Sequence, residues 1–174
     1  MMPINIGVST LGLQKDNGDL LPRIIQYAEA TTTTHITKTF GQDISQFDVN
    51  ITPKHASSHI LLFANVACGA DTNADLGLVF RRTISGGSIG NLDGSSGSGA
   101  TGANVGFICG MNVTSTQAAT YSGWHLDHPN TTSQVTYGLR AYPNGSRTMF
   151  INRRGADSSY TAKSRLVCIE IGDI

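Results

Sequence analysis

The sequence predicts an all-β chain folded as an antiparallel sandwich or jelly roll, and three observations carry that prediction. Charged residues make up only 14% of the 174 positions, against about 25% in an average soluble domain. Gly, Ser, Thr and Asn crowd the chain instead, a composition that favours strands and turns over helices. Five separate segments place apolar residues at every second position, the period of a strand with one buried face. Between them stand short clusters of Gly, Pro, Asn and Asp, so the strands are many and brief. A chain of this length buries roughly two thirds of its unfolded surface, enough for one core without metal or disulfide staples.

Residues 1–22 read as an attachment arm and residues 23–174 as the folded domain. The start of the arm is weakly periodic, with Ile4, Ile6, Val8, Leu11 and Leu13 alternating in part with polar residues, a pattern suited to adding onto the sheet edge of another subunit. Leu21, Ile24, Ile25 and Ala28 share a helical face behind Asp19. A strand from Arg23 is nevertheless preferred, because Ile24-Ile25 leads into Thr31-Thr32-Thr33-Thr34, which resists helix. The alternating sets follow: Phe47, Val49, Ile51; Ile60, Leu62, Ala64, Val66, Cys68; Leu76, Leu78, Phe80, Ile84; Val105, Phe107, Cys109, Met111, Val113; and Val135, Tyr137, Leu139, Ala141. The opposite face of the second set is also apolar at Leu61, Phe63 and Ala67, which predicts a central strand or a subunit interface. Pro53 and Asp71-Thr72-Asn73-Ala74 mark turns, and Pro143-Asn144-Gly145-Ser146 predicts a hairpin joining 137–141 to 147–151. Seven glycines between Gly86 and Gly102 predict a long surface loop. The nearly continuous apolar run 165–171 predicts a last strand in the middle of a sheet.

Twelve basic and twelve acidic residues give a formal net charge of zero, which removes the one-signed field that collects nucleic acid. A neutral small protein also lacks self-repulsion, which fits a surface meant to be buried in an oligomer. Cys68, Cys109 and Cys168 have no CxxC spacing and lie in apolar runs, as small buried hydrophobes do. The first residues have no basic segment followed by an apolar one, and no apolar run approaches 18 residues, so synthesis in a cytoplasm and no membrane insertion are expected. Without such a leader, the sequons at Asn50, Asn112, Asn130 and Asn144 follow from composition.

Four motifs resemble chemical sites. Gly86-Gly87-Ser88-Ile89-Gly90 matches the nucleophile elbow, and 97–102 matches the dinucleotide fingerprint, but each requires a following helix that the sequence does not predict. His125, Asp127 and His128 carry metal-ligand groups at a spacing equally suited to a strand end. Asp71 and Asp75 lack the rest of a calcium loop. Arg140, Arg147, Arg153, Arg154, Lys163 and Arg165, with Asp157 and Glu170 nearby, read as ion pairs across strands or subunits. Adjacent Arg81 and Arg82 must point to opposite faces, so one requires a carboxylate inside or at an interface. The expectation is a non-enzymatic protein without cofactor or metal.

Ile51-Thr52-Pro53 with Ser57-Ser58-His59-Ile60-Leu61-Leu62 resembles the "I-T-P … S-S-K-I-L" strand of distal domains in virion fibre proteins of tailed bacteriophages. Phe80-Arg81-Arg82 leading to Ile89-Gly90 resembles that family's "R-…-I-G" strand and loop. Leu126 to Tyr137 resembles its "L-D-x-P-x-T-T-S-x-x-T-Y" segment. Ile151-Asn152-Arg153-Arg154, Asp157, Tyr160, Arg165 and Ile169-Glu170-Ile171 resemble its "I-N-R … D … Y … R … E-I" ending.

The resemblance spans about Arg23 to Ile171 in order. It implies a C1q/TNF-like antiparallel jelly-roll sandwich, here with a short extended N-terminal arm, that forms a homotrimer on the surface of a virion. Such domains end long fibres, and the short arm here shifts the expectation to a capsid decoration or cement protein anchored on the major capsid or a tail protein. The alternative is a tail-fibre tip or adaptor that recognises host surface glycans through the loop 86–102 and an exposed turn holding Trp124, His125, His128 and Asn130. A third reading, a hydrolase using Ser88 with His125 or His128, has the residue types without the scaffold.

Overall fold

The computed structural model describes Val8–Ser9, Gly12–Leu13, residues 23–92 and residues 108–172, with side chains described for 23–92 and 113–172. Every element is a strand: β1 (Val8–Ser9), β2 (Gly12–Leu13), β3 (Arg23–Thr32), β4 (Ile36–Lys38), β5 (Gln42–Ile51), β6 (His59–Ala70), β7 (Ala74–Ile84), β8 (Gly90–Asn91), β9 (Ile108–Val113), β10 (Ala118–Asp127), β11 (Val135–Pro143), β12 (Met149–Ile151) and β13 (Ser164–Gly172). The β1–β2 pair stands apart from two larger sheets. In the first sheet β13 lies between β3 and β6, and β10 covers the far edge of β6. The end of β6 pairs with β12, which carries β4. In the second sheet β11 lies between β5 and β7, whose far edge pairs with β8 and β9. All pairings are antiparallel, and the chain passes back and forth between the sheets in jelly-roll order. Among the described residues no helix is long and apolar enough to cross a membrane.

The strand alternation becomes the core. Phe47, Val49 and Ile51 of β5, Ile60 through Cys68 at even positions of β6, Leu76, Leu78 and Phe80 of β7, and Val135, Tyr137, Leu139 and Ala141 of β11 are all buried between the sheets. Met149, Ile151, Leu166 and Cys168 complete the layer. Each such side chain of Leu or Ile size stabilises the fold by roughly 1.5–3 kcal/mol. The strand expected from Arg23 is β3, held to β13 over its length with one bulge.

The segment after β11 corrects one expectation. Residues 137–141 and 147–151 do not form a hairpin: β11 pairs with β5 and β7, while β12 pairs with β4 and β6 in the other sheet. Both edges of β11 are already taken, so the following strand has no free edge to join. The turn itself is real and works as a corner between sheets. Gly145 takes φ +55°, and the Asn144 amide donates to the Asp75 carbonyl at 2.9 Å, tying the corner to the start of β7. The glycine-rich stretch is likewise not loop throughout, since Gly90 and Asn91 pair with Arg82 and Arg81. Residues 93–102, the arm residues Ile4, Ile6 and Leu11, and most of the boundary at 22 lie outside the described residues. Of the arm, only the Val8–Leu13 backbone pairing is described.

Candidate functional site

Alternation that buries one face of the first sheet presents the other, and that outer face is apolar across four strands. Register places the side chains in rows, with neighbours in a row about 5 Å apart. Tyr27, Ile169, Leu61 and Leu126 form one row, and Glu29, Val167, Phe63 and Trp124 form the next. Ile24 and Ile171 extend the field at one end. Ile24, Tyr27, Phe63, Trp124 and Leu126 are 66%, 61%, 42%, 67% and 48% exposed, a cluster of bulky side chains a monomer rarely leaves in water. The following row is polar: Thr31, Arg165, Asn65 and Ser122, with the Asn65 amide donating to Ser122 Oγ at 2.7 Å. The apolar field therefore has a defined end.

The outer face of the second sheet is built oppositely. Arg81, only 4% exposed, pairs with Asp48 and lies 3.5 Å from Asp43, which also accepts from Arg140 Nε at 2.6 Å. The space for the Arg81 guanidinium exists because position 138 is glycine, where a Cβ would stand 2.9 Å from it. Arg140 also donates to Asn91 at 3.2 Å, and Asn91 to the Tyr142 hydroxyl at 2.9 Å. The hydrogen bond to Asp43, outweighing partial burial, holds the Arg140 pKa above its ordinary value. The charges of Arg81, Arg140, Asp43 and Asp48 on this face are paired with one another within the chain.

Arg82 points the other way, as its neighbour's orientation requires. One guanidinium nitrogen reaches both oxygens of buried Asp127 at 2.8 and 2.9 Å, and the Tyr137 hydroxyl donates to Asp127 at 2.7 Å. Burial, and then the hydrogen bond to that carboxylate, push the Tyr137 phenol well above its ordinary pKa. Arg154 pairs with Asp157 through two nitrogens at 2.9 and 2.5 Å, so the late cluster of arginines is in part ion-paired within the chain. Glu170 departs from that reading: it is buried and accepts from Gln26 and the Lys54 amide, not from an arginine.

The sequence-predicted binding turn is in part strand, since Trp124 and His125 belong to β10. Trp124 projects from β10 onto the apolar face, whereas His125 faces the core with its ring 6.2 Å from Phe80. His128 is exposed and stacks on His59 at 4.4 Å, and Asn130 occupies a left-handed turn at φ +53°. β10 runs through Asp127, so strand alternation sends Trp124 and His125 to opposite faces. Among the described residues, no three His, Cys, Asp or Glu side chains are grouped to hold a metal. Cys68 and Cys168 are free and buried, which raises their thiol pKa values and leaves them as packing groups.

No family model and no curated protein matches the chain. Among solved structures, Eiger TNF from S. frugiperda aligns with a TM-score of 0.48 at 10% identity, covering 87% of this chain and 96% of that one. The VP2 subviral particle of infectious bursal disease virus aligns with a TM-score of 0.41 at 11% identity, covering 98% of this chain and 44% of that one. This chain thus spans less than half the length of VP2. Both are likenesses of fold at low similarity, and the jelly-roll assignment stands on the strand order itself.

The reading of β6 found one strip of the apolar face at Leu61 and Phe63, while Ala67, named with them, lies beyond the polar row. That reading missed Tyr27, Ile169 and Trp124, which register alone places beside Leu61 and Phe63. A signal existed in the run 165–171, where both parities are apolar. That run does lie in the middle of its sheet, yet its second face at Val167, Ile169 and Ile171 is only half-buried in the single chain.

Proposed function

We propose that the chain is a structural protein of a bacteriophage particle, a homotrimer displayed on the virion surface and attached through residues 1–22 to the major capsid or a tail protein. The observation that carries the assembly is the contrast between the two outer faces. One is laced with ion pairs; the other exposes Tyr27, Phe63, Trp124 and Leu126 in continuous rows. Burying that field against two further copies removes it from water at about 25 cal/mol per Å² of apolar area, and a neutral chain meets no long-range repulsion. The number three, the particle and the virion location come from the sequence resemblance over 23–171, and the alternating apolar residues of the arm supply the anchor.

Sedimentation equilibrium tests the assembly. The expected mass is three times the 18.4 kDa of one chain, and the double substitution Phe63→Glu, Trp124→Glu should yield a folded monomer. A monomeric wild type at micromolar concentration, or a double variant that remains trimeric, would sink this reading. Deleting residues 2–19 should leave the trimer intact and abolish co-sedimentation with particles that lack the protein. Retained attachment would remove the arm from the proposal.

A further inference from the structure

The connection from β12 to β13, residues 152–163, contains no strand or helix, long for a compact domain. It is nevertheless pinned throughout. The Ala156 amide donates to the Ser115 carbonyl at 2.7 Å, the Ala162 amide to the Asn152 carbonyl at 3.0 Å, and His35 Nε2 lies 3.0 Å from Thr161 Oγ1. Gly155 lies flat against β6, where a Cβ would stand 1.7 Å from the Ala70 carbonyl oxygen. Asp157 accepts from Arg154 and from the Ser159 amide, a pairing that holds its carboxyl well below the usual range. An irregular loop fixed at so many points has already met the ordering cost of binding.

Together with the turn before β10, this loop walls an open depression of about 430 Å³. Thr116, Gln117, Thr120, Arg154, Tyr160 and Thr161 line it, with alanine methyls between them. Tyr160 is 61% exposed, and the Arg154 guanidinium lies 4.7 Å from its ring centroid. The depression sits on the outer face of the first sheet at the Ala67–Thr120 pair. The Asn65–Ser122 polar row separates it from the apolar field.

We infer that this depression is a binding site for a neutral saccharide. Thr120 offers its hydroxyl from β10, the Thr116 and Thr161 hydroxyls keep further bonding capacity beside their contacts with Thr114 and His35, and the Gln117 amide nitrogen can donate while its oxygen accepts from the Thr114 amide; Tyr160 supplies a flat apolar platform with a polar tip. An anion is disfavoured, because the one guanidinium in the wall already gives two donors to Asp157. A purely apolar ligand would strand the hydroxyls. The site is separate from the assembly face and does not depend on the trimer.

Saturation-transfer NMR on the full chain tests it, with methyl glycosides of glucose, galactose, mannose and N-acetylglucosamine as probes and glucuronic and sialic acids as anionic counterparts. At least one neutral glycoside should receive saturation. Tyr160→Ala should weaken its binding by about tenfold while Tyr160→Phe keeps most of it. Thr120→Val, on a strand paired along its length with β6, should weaken it several-fold without altering the fold. Absence of transfer to every neutral glycoside, transfer to the acidic sugars alone, or binding that survives both Tyr160→Ala and Thr120→Val would overturn the assignment.

Discussion

Asp127 is where the two sheets exchange charge: it belongs to β10 of the first sheet and holds Arg82 and Tyr137 of the second. Asp127→Ala leaves a half-exposed guanidinium and a buried phenol without their acceptor, a loss of about 2 kcal/mol. Urea unfolding at fixed protomer concentration measures it, and Tyr137→Phe, which leaves the ion pair intact, should cost only about 1 kcal/mol. Glu170 shows a different use of a buried carboxylate. Burial raises its pKa, but hydrogen bonds including those from Gln26 and the Lys54 amide outweigh this and leave it below the ordinary value. The sign of the pH effect follows. A carboxyl with a depressed folded pKa stabilises in full above its unfolded value of about 4.3 and loses that contribution as pH falls through the folded one. Glu170→Gln should therefore lower the melting temperature at neutral pH and flatten its decline below about pH 4.3, as thermal melts across acidic pH will record.

Elements in this chain are defined as much by which edges are free as by their own residues. The turn at 143–146 has the chemistry of a hairpin, and it fails to form one because β5 and β7 already occupy β11. The segment therefore crosses to the first sheet, where β12 fits between β4 and the end of β6. The same crossing sets up the pinned loop 152–163. Because Gly155 leaves no room for a Cβ against Ala70, Gly155→Ala should force the loop off β6 at a cost of about 3 kcal/mol, read by denaturant unfolding. Faster amide exchange at Ala156 and Ala162, whose amides close the loop, is the accompanying signature.

At the scale of the whole molecule the sandwich has two unlike exteriors. The second sheet is finished by Arg81, Arg140, Asp43 and Asp48, whereas the first leaves aromatic and aliphatic rows uncovered. The proposed assembly would bury those rows and present the finished exterior of the second sheet. The amino-acid order by itself determined the all-β class, the start of β3, most of the described inward-facing core residues, the central place of the last strand and the opposed orientation of Arg81 and Arg82. Each of these follows from a local signal, whether composition, the two-residue period, a β-branched run or a continuous apolar run, that needs no knowledge of partners. Strand pairing is not local, because any alternating strand satisfies its hydrogen bonds beside any other. Only the tertiary structure therefore decided that 143–146 turns a corner, that Trp124 and His125 part to opposite faces, and that Tyr27, Ile169, Leu61 and Leu126, scattered over the chain, stand in one row.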